Sequence, residues 1–232
     1  MPIMIDVKNI VKRYGTKTVL NNISLQIKQG EVIAITGENG AGKSTLLDII
    51  LGIQKQESGT ITYAPTSLQK QVGVQLQTTP FFPDLTAKEN IQIFAAFYRM
   101  KLNPIQCEVS LSEFELQDVS HTLASKLSGG QKKKLAIAIA TVYDPSVIFL
   151  DEPTASLDPK ARIHIKQLSA SLAKKGKTIM LTSHDMEEVS KLATRLLMLK
   201  NGRIVLDGAP EQLLEEHQKE DLESLYLSIT GG

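Results

Sequence analysis

The sequence predicts an α/β fold in which a mostly parallel sheet carries helices on both faces. Three observations support this prediction. Short apolar runs, typical of buried strands, alternate with helical stretches along most of the chain. A glycine-rich loop stands between one such strand and a helix. Two stretches near the N-terminus alternate apolar and polar residues, which predicts a separate antiparallel part.

The composition is that of a globular protein with a sizeable core. The chain has 232 residues, of which 42% are hydrophobic, and its net charge is +1. This charge provides no basic field, so we expect no nucleic-acid partner. The single cysteine, Cys107, excludes an internal disulfide framework. The N-terminus lacks a signal-like pattern, and no apolar run approaches the ~20 residues that a membrane span needs. We therefore expect a soluble protein.

The N-terminal region is predicted to form antiparallel strands over residues 4–10 and 19–27. Tyr14 lies in the connection between them. Its ring could pack in the core or stack on a purine, and the sequence alone favours core packing.

A phosphate-binding loop follows the buried strand predicted at residues 32–35, and a helix follows it at residues 46–51. The loop fits G-x-x-x-x-G-K-[ST], in which backbone N–H groups hold phosphate oxygens. Lys43 would reach the β- and γ-phosphates, and the Ser44 hydroxyl would coordinate Mg²⁺. The candidate nucleotide-binding residues here are Gly37, Glu38, Asn39, Gly40, Ala41, Gly42, Lys43, Ser44 and Thr45.

The middle of the chain begins with strands at residues 59–63 and 72–76, the second of which runs into Gln77. A loop with two prolines then leads to a capping box, Thr86 with Glu89, and this predicts a helix over residues 87–100. Another helical stretch runs from Asn103 toward Leu116. Since no strand pattern occurs between residues 79 and 126, we interpret this region as a helical insertion.

The second half continues the strand–helix alternation to a C-terminal helical tail at residues 209–232. The whole chain, residues 1–232, is therefore predicted to be a single domain. Strands are predicted at residues 146–150 and 177–182, helices at 132–143, 159–174 and 186–193, and a hairpin at 196–206 that turns at Asn201-Gly202.

Polar side chains follow three of the predicted strands. Asp151 and Glu152 end one strand, while Gln77 and His184 follow two others. Because carboxyl ends of parallel strands share one sheet edge, these residues are expected near the phosphate loop. Asp151 would hold Mg²⁺ through water, and Glu152 could accept the proton of an attacking water. His184 is equally compatible with a structural role.

A second predicted anion site opens the helix after Leu127, where residues 127–131 read LSGGQ. Ser128, Gly129, Gly130 and Gln131 would present backbone N–H groups at the helix N-terminus. Two anion sites far apart in one chain suggest a nucleotide clamped between two chains.

Together these motifs resemble the ATP-binding subunit of ABC transporters. The resemblance covers nearly the whole chain and implies a P-loop NTPase core with an antiparallel β subdomain and a helical subdomain. It also implies a head-to-tail dimer, with ATP and Mg²⁺ between the chains. The motifs that carry it are residues 37–45, Gln77, residues 127–131 and 147–152, Ser156-Leu157-Asp158, and His184.

The resemblance also assigns roles to individual residues. Tyr14 stacks on adenine, which replaces the expectation of core packing. Gln77 senses Mg²⁺ and the attacking water, so that Ser44, Gln77 and Asp151 form the metal set. Ser128 and Gly130 contact the γ-phosphate bound by the other chain, and His184 contacts the γ-phosphate of its own. The catalytic set is thus Glu152, His184, Gln77 and Lys43.

The C-terminal residues 221–231 resemble the closing sequence of exporter ATPases. This implies separate transmembrane permease subunits, a second copy or a paralogous ATPase as partner, and a cytoplasmic position on the inner face of the cell membrane. The alternative is a soluble ABC ATPase, such as an iron–sulfur cluster assembly factor. We further expect the loop at residues 77–85 to dock the membrane partner, with either Phe81 or Phe82 exposed.

Two departures from the family pattern lie on the helix after LSGGQ. Lys132, Lys133 and Lys134 stand where many members mix basic and polar residues, and we interpret them as a solvated helix face. Ile139 stands where many members carry arginine, which puts in doubt any contact made through that arginine.

Overall fold

A small antiparallel sheet is formed by the N-terminal part of the chain. The computed structural model describes residues 1–66, 68, 71–76 and 81–231. Strands β1 (Ile3–Tyr14), β2 (Lys17–Lys28) and β4 (Ser58–Tyr63) form this sheet in the order β2-β1-β4. Both pairings are antiparallel, which confirms the prediction for the first two strands. The hairpin is longer than predicted, because β1 continues through Tyr14 to the turn at Gly15.

The second sheet has six strands in the order β5-β6-β7-β3-β8-β9. Its first five strands are parallel, and β9 closes it as an antiparallel hairpin with β8, turned at Asn201-Gly202 as predicted. The strands are β3 (Val32–Gly37), β5 (Val72–Gln75), β6 (Val147–Asp151), β7 (Thr178–Thr182), β8 (Arg195–Lys200) and β9 (Arg203–Gly208).

Each face of the large sheet packs on its own hydrophobic core. Alternate residues of β3 enter different cores, with Val32 and Ala34 on one face and Ile33 and Ile35 on the other. The second face is covered by α1 (Lys43–Ile50) together with the small sheet. The fold is thus α/β as predicted, but a β-sheet replaces most of the helical layer expected on this face. The pattern of apolar residues in a strand indicates that a face of the sheet is buried, but it does not indicate whether a helix or another sheet packs on that face.

The first face packs against seven helices of the described part of the chain. A capping box at Thr86 and Glu89 begins α2 as predicted, and a second one, at Asn103 and Gln106, begins α3. Two 3₁₀ turns, Gln117–Val119 and Ala124–Lys126, separate α3 from α4. The helices are α2 (Ala87–Phe97), α3 (Pro104–Glu113), α4 (Gly129–Thr141), α5 (Pro159–Lys174), α6 (Met186–Leu192), α7 (Pro210–His217) and α8 (Leu222–Thr230).

The strand order brings the candidate residues to one edge. Strands β3, β6 and β7 are adjacent and parallel, so the phosphate loop after β3, the carboxylates after β6 and His184 after β7 emerge side by side. No helix in the described ranges combines the length and apolar character that a bilayer crossing requires.

Candidate active site

The phosphate loop depends on glycine at two positions where the chain passes close to its neighbours. Gly37 has φ +143°, and a Cβ there would lie 2.2 Å from the Leu199 carbonyl oxygen. Gly42 has φ +107° and caps α1, and its Cβ would lie 2.7 Å from Leu20 Cδ2. A side chain at either position would push the loop away from the sheet, so these glycines keep the loop curled against it.

The Lys43 ammonium group sits inside this curl. Its side chain is only 6% exposed, and Nζ donates hydrogen bonds to the carbonyl oxygens of Gly37 at 2.8 Å and Glu38 at 3.1 Å. Burial lowers the pKa of Lys43, while the negative charges of Glu152 and Asp151 oppose that shift. A buried cation at the opening of a helix is well suited to bind phosphate oxygens.

A cleft of about 340 Å³ lies beside the loop, with Glu152 in its wall. Tyr14 also lines the cleft and is 48% exposed, with its hydroxyl bonded to Gln54 Oε1 and Lys12 Nζ 5.2 Å from the ring centroid. The expectation of core packing for Tyr14 is therefore wrong, because the long β1 carries its ring past the core to the hairpin tip. Stacking of the ring on adenine stays a prediction.

Asp151 and Glu152 are fixed to the neighbouring strand by Thr182. The sheet register pairs Asp151 with Thr182, whose Oγ1 donates to Asp151 Oδ1 at 2.6 Å. The same hydroxyl accepts a hydrogen bond from the Glu152 N–H at 2.9 Å. Sequence reasoning did not identify Thr182, since its importance depends on which strand lies beside β6.

His184 faces Glu152 across the same edge. Its Nε2 lies 3.4 Å from Glu152 Oε1. Burial lowers the pKa of His184, the positive charge of Lys43 lowers it further, and Glu152 acts in the opposite direction. The imidazole is therefore neutral at pH 7. The structure thus brings together Lys43, Asp151, Glu152 and His184, four of the predicted site residues.

A buried acid, Glu188 of α6, connects the segments that carry these residues. Its Oε2 accepts hydrogen bonds from Ser183 Oγ at 2.7 Å and Thr154 Oγ1 at 3.1 Å. Glu188 is 1% exposed, and burial raises the pKa of its carboxyl against the effect of these bonds. The Glu188 carboxylate thereby holds both Ser183, which precedes His184, and Thr154, which lies two residues after Glu152.

The second predicted anion site opens α4, as expected. Ser128 is the N-cap, and its hydroxyl accepts from the Gln131 N–H while Gln131 Oε1 accepts from the Ser128 N–H. A Cβ at Gly130 would lie 2.8 Å from Ala161 Cβ, so glycine permits close packing of α4 on α5. Among the described residues, the wall of the phosphate-loop cleft includes none of residues 128–131. The two predicted anion sites thus lie apart from each other within one chain.

The interpretation of the three lysines of α4 as a solvated face is wrong for two of them. Lys134 is 8% exposed and pairs with Glu115. Lys133 is half-buried and donates to the backbone carbonyl oxygen of Glu152 at 3.1 Å. Ile139 is 7% exposed and packs in the core on the helical side, where an apolar side chain is accommodated.

The predicted docking loop begins outside the described residues, since Gln77 and the next three residues are not among them. Its remainder is described. Phe82 is 42% exposed, whereas Phe81 is partly buried against the core. The prediction that one of the two rings is exposed is confirmed.

The site offers the oxygen ligands that Mg²⁺ prefers. They are the Ser44 hydroxyl at the start of α1 and the Asp151 carboxylate at the end of β6. Within the described ranges, no group of three or more His, Cys, Asp and Glu side chains could hold a metal alone. A magnesium ion bound here would therefore be completed by water and nucleotide phosphates, which is the usual arrangement at phosphate-transfer sites.

Comparisons with known proteins agree with this geometry. The family model described as "ABC transporter" matches residues 20–155. A curated protein of Burkholderia orbicola (strain AU 1054), "Nod factor export ATP-binding protein I", is 38% identical over 231 residues, which cover 96% of this chain and 76% of that protein. A protein of the same name from Rhizobium johnstonii is 39% identical over 224 residues, covering 93% and 72%.

Solved structures agree as well. One titled "Structure of ATP binding subunit of ABC transporter" superposes with a TM-score of 0.86 at 26% identity, covering 98% of this chain and 99% of that one. An ATP-binding cassette solved as a dimer in a post-hydrolysis state with ADP and Pi has a TM-score of 0.79 at 29% identity, covering 89% and 98%.

Proposed function

Because this chain belongs to the ABC transporter family and is an ATPase that binds ATP with Mg²⁺, we propose that it is the motor subunit of an export system. Separate membrane subunits would carry the exported molecule. The proposal is supported by its relatives, which are named as export ATP-binding proteins. These names favour export over a soluble role such as iron–sulfur cluster assembly.

The observation that carries the proposed chemistry is the convergence of Lys43, Asp151, Glu152 and His184 at one sheet edge. Glu152 lines the cleft beside the phosphate loop, where its carboxylate can accept a proton from water. The neutral His184 imidazole beside it can hold this carboxylate or a phosphate oxygen through Nε2. Lys43 supplies positive charge where negative charge develops on the phosphate. Mg²⁺, held by Ser44 and Asp151, would neutralise phosphate charge when bound.

The working unit in this proposal is a head-to-tail dimer with composite sites. Ser128 and Gly130 of one chain would complete the site formed by the phosphate loop of the other. Two features support this arrangement: the second anion site lies outside the wall of the phosphate-loop cleft, and a structural relative was solved as a dimer with ADP and Pi. The whole chain would act as one domain, because α7 and α8 of the C-terminal tail and the helices of residues 79–126 share one core.

The exposed aromatic residues after Gln77 are the proposed contact with the membrane subunits. Phe82 packs against Phe94 and Phe97 of α2, with ring centroids 5.9 and 6.5 Å away. Phe97 itself is 62% exposed. Aromatic side chains left partly in water are typical anchors of interfaces. The chain would then sit on the cytoplasmic face of the cell membrane.

A buried asparagine holds this contact surface in shape. Asn90 of α2 is fully buried, and its Oδ1 accepts from the Phe82 N–H at 2.8 Å. Its Nδ2 donates to the carbonyl oxygens of Phe82, Leu85 and Thr86 at 2.9–3.2 Å. The turn that carries Phe82 is therefore anchored to α2.

The test of the proposed chemistry is Glu152→Gln. Since general-base catalysis contributes about 10²–10⁴-fold, we expect turnover to fall by that factor while ATP binding persists. Gel filtration with ATP and Mg²⁺ should reveal a dimer that ADP does not support. Glu187→Gln is the matched control, because Glu187 is an exposed carboxylate close to His184 in sequence and should leave turnover unchanged. Turnover of Glu152→Gln within about twofold of wild type would refute the role of Glu152.

A further inference from the structure

The backbone at Glu152 adopts a conformation that a non-glycine residue rarely keeps without support. Its φ is +46°, in the left-handed region. Such backbone conformations persist when surrounding contacts hold them, and they concentrate at functional sites. At Glu152 the conformation directs the carboxylate from the end of β6 toward His184, 3.4 Å away. Any contact that holds this backbone therefore also determines where the carboxylate lies.

Side chains from two different elements hold the two polar backbone groups of Glu152. The N–H donates to Thr182 Oγ1 of β7 at 2.9 Å. The carbonyl oxygen accepts from Lys133 Nζ of α4 at 3.1 Å, and also from the Ala155 N–H at 3.3 Å. Of these three contacts, the one from Lys133 comes neither from the sheet nor from the turn that follows Glu152.

We propose that Lys133 is a positioning residue for hydrolysis, because its ammonium group fixes the left-handed backbone of Glu152 and so the direction of the catalytic carboxylate. This inference rests on the proposed role of Glu152. Burial lowers the pKa of Lys133, while the negative charges of Asp151 and Glu152 oppose that shift. A charged donor makes a stronger bond to a carbonyl oxygen than a neutral donor does.

The location of Lys133 also connects two sites of the proposed dimer. It follows the N-cap Ser128 by about one and a half turns of α4. Ser128 would face the nucleotide of the partner chain, whereas Glu152 acts on the nucleotide of its own chain. A shift of α4 when the partner's nucleotide arrives would therefore move the donor that holds Glu152.

The neighbouring lysines provide matched controls on the same helix. The side chain of Lys132 has no hydrogen-bond or ion-pair partner among the described residues, so Lys132→Met removes the same charge without the contact. Lys133→Met removes the donor and keeps the length of the side chain, and Lys133→Arg keeps a charged donor. Lys133→Gln keeps a polar side chain that is too short to reach the Glu152 carbonyl oxygen. It replaces Lys133→Met in the experiment if Lys133→Met does not fold.

The experiment measures kcat and KM for ATP, together with the ATP-dependent dimer by gel filtration, for each variant. Because small displacements of a catalytic group can cost up to about a hundredfold, we expect kcat of Lys133→Met to fall by about tenfold to a hundredfold with KM changed less than about threefold. Lys133→Arg should recover most of kcat, Lys132→Met should match wild type, and the dimer should persist in each variant.

The decisive arm repeats Lys133→Met in the Glu152→Gln background, with single-turnover phosphate release as the assay. If Lys133 acts through the Glu152 carboxylate, the residual rate should change by less than about twofold. An equal loss in both backgrounds, or an unchanged kcat of Lys133→Met or Lys133→Gln in the wild-type background, would overturn the inference. High turnover of Glu152→Gln alone would instead overturn the proposed role of Glu152, so the two failures are distinguishable.

Discussion

Replacing Thr182 by valine should weaken both stability and catalysis. Thr182 is fully buried, and its one hydroxyl joins Asp151 Oδ1 to the Glu152 N–H. A net hydrogen bond contributes about 1 kcal/mol, and one to a charged group about 1.5–3 kcal/mol. Since Thr182→Val removes one of each, we expect a loss of about 3 kcal/mol in the free energy of unfolding.

This loss converts into a measurable change in melting temperature. For a chain of this size, each kcal/mol lowers the Tm by about 2–4 °C, so calorimetry should record a decrease of about 6–12 °C. The ATPase rate should also fall by at least about tenfold at temperatures where the variant stays folded, because both carboxylates lose one of the contacts that fix their direction.

Thr178 provides the control on the same strand. It is also fully buried, but among the described residues its hydroxyl has a single hydrogen bond, which it accepts from the Gly30 N–H at 2.9 Å, at the opposite end of β7 from the site. Thr178→Val should lower the Tm by only about 2–4 °C and leave the ATPase rate unchanged. A Thr182→Val protein that melts with the wild type, or equal losses of activity in the two variants, would refute the reasoning.

Three further predictions concern the dimer, the docking surface and pH. Lys43→Ala and Ser128→Arg should each be inactive alone, and mixing them should restore activity through one intact composite site per mixed dimer; a mixture that stays inactive argues against this arrangement. Phe82→Ala combined with Phe97→Ala should keep the ATPase rate but reduce co-purification with the membrane subunits. The control Val205→Ala, a change at an exposed residue of β9, should leave co-purification unchanged. If the double variant still co-purifies, this docking surface is excluded. The pKa of His184 is lowered in the folded state, so as the pH falls the imidazole of the unfolded chain is protonated first. The stability associated with His184 is therefore present above about pH 6.5 and is lost as the pH falls below that value. Urea unfolding between pH 7 and 5 should show a shallower decline for His184→Asn, and an identical slope would contradict this.

The sequence alone was sufficient wherever function depends on consecutive residues. The phosphate loop needs glycines at set intervals before Lys43, and the capping boxes need a pair three residues apart, as at Thr86 and Glu89. The structure confirmed the helix start at Ala87 and the buried strand before the phosphate loop, whereas α1 begins at Lys43, three residues before the predicted start. These signals can be read locally because a buried helix or strand face requires apolar residues at a regular spacing in the sequence.

The tertiary structure alone decided which distant residues meet. Thr182 and Lys133 are polar residues in an apolar strand and on a basic helix, and no spacing in the sequence relates them to Glu152. They become its partners because β7 lies beside β6 in register and α4 crosses the same strand. Tyr14 was expected in the core from the sequence, but because β1 is longer than predicted, its ring lies in the cleft. Periodicity specifies which face of an element is buried, but the pairing between elements is a property of the whole packed chain.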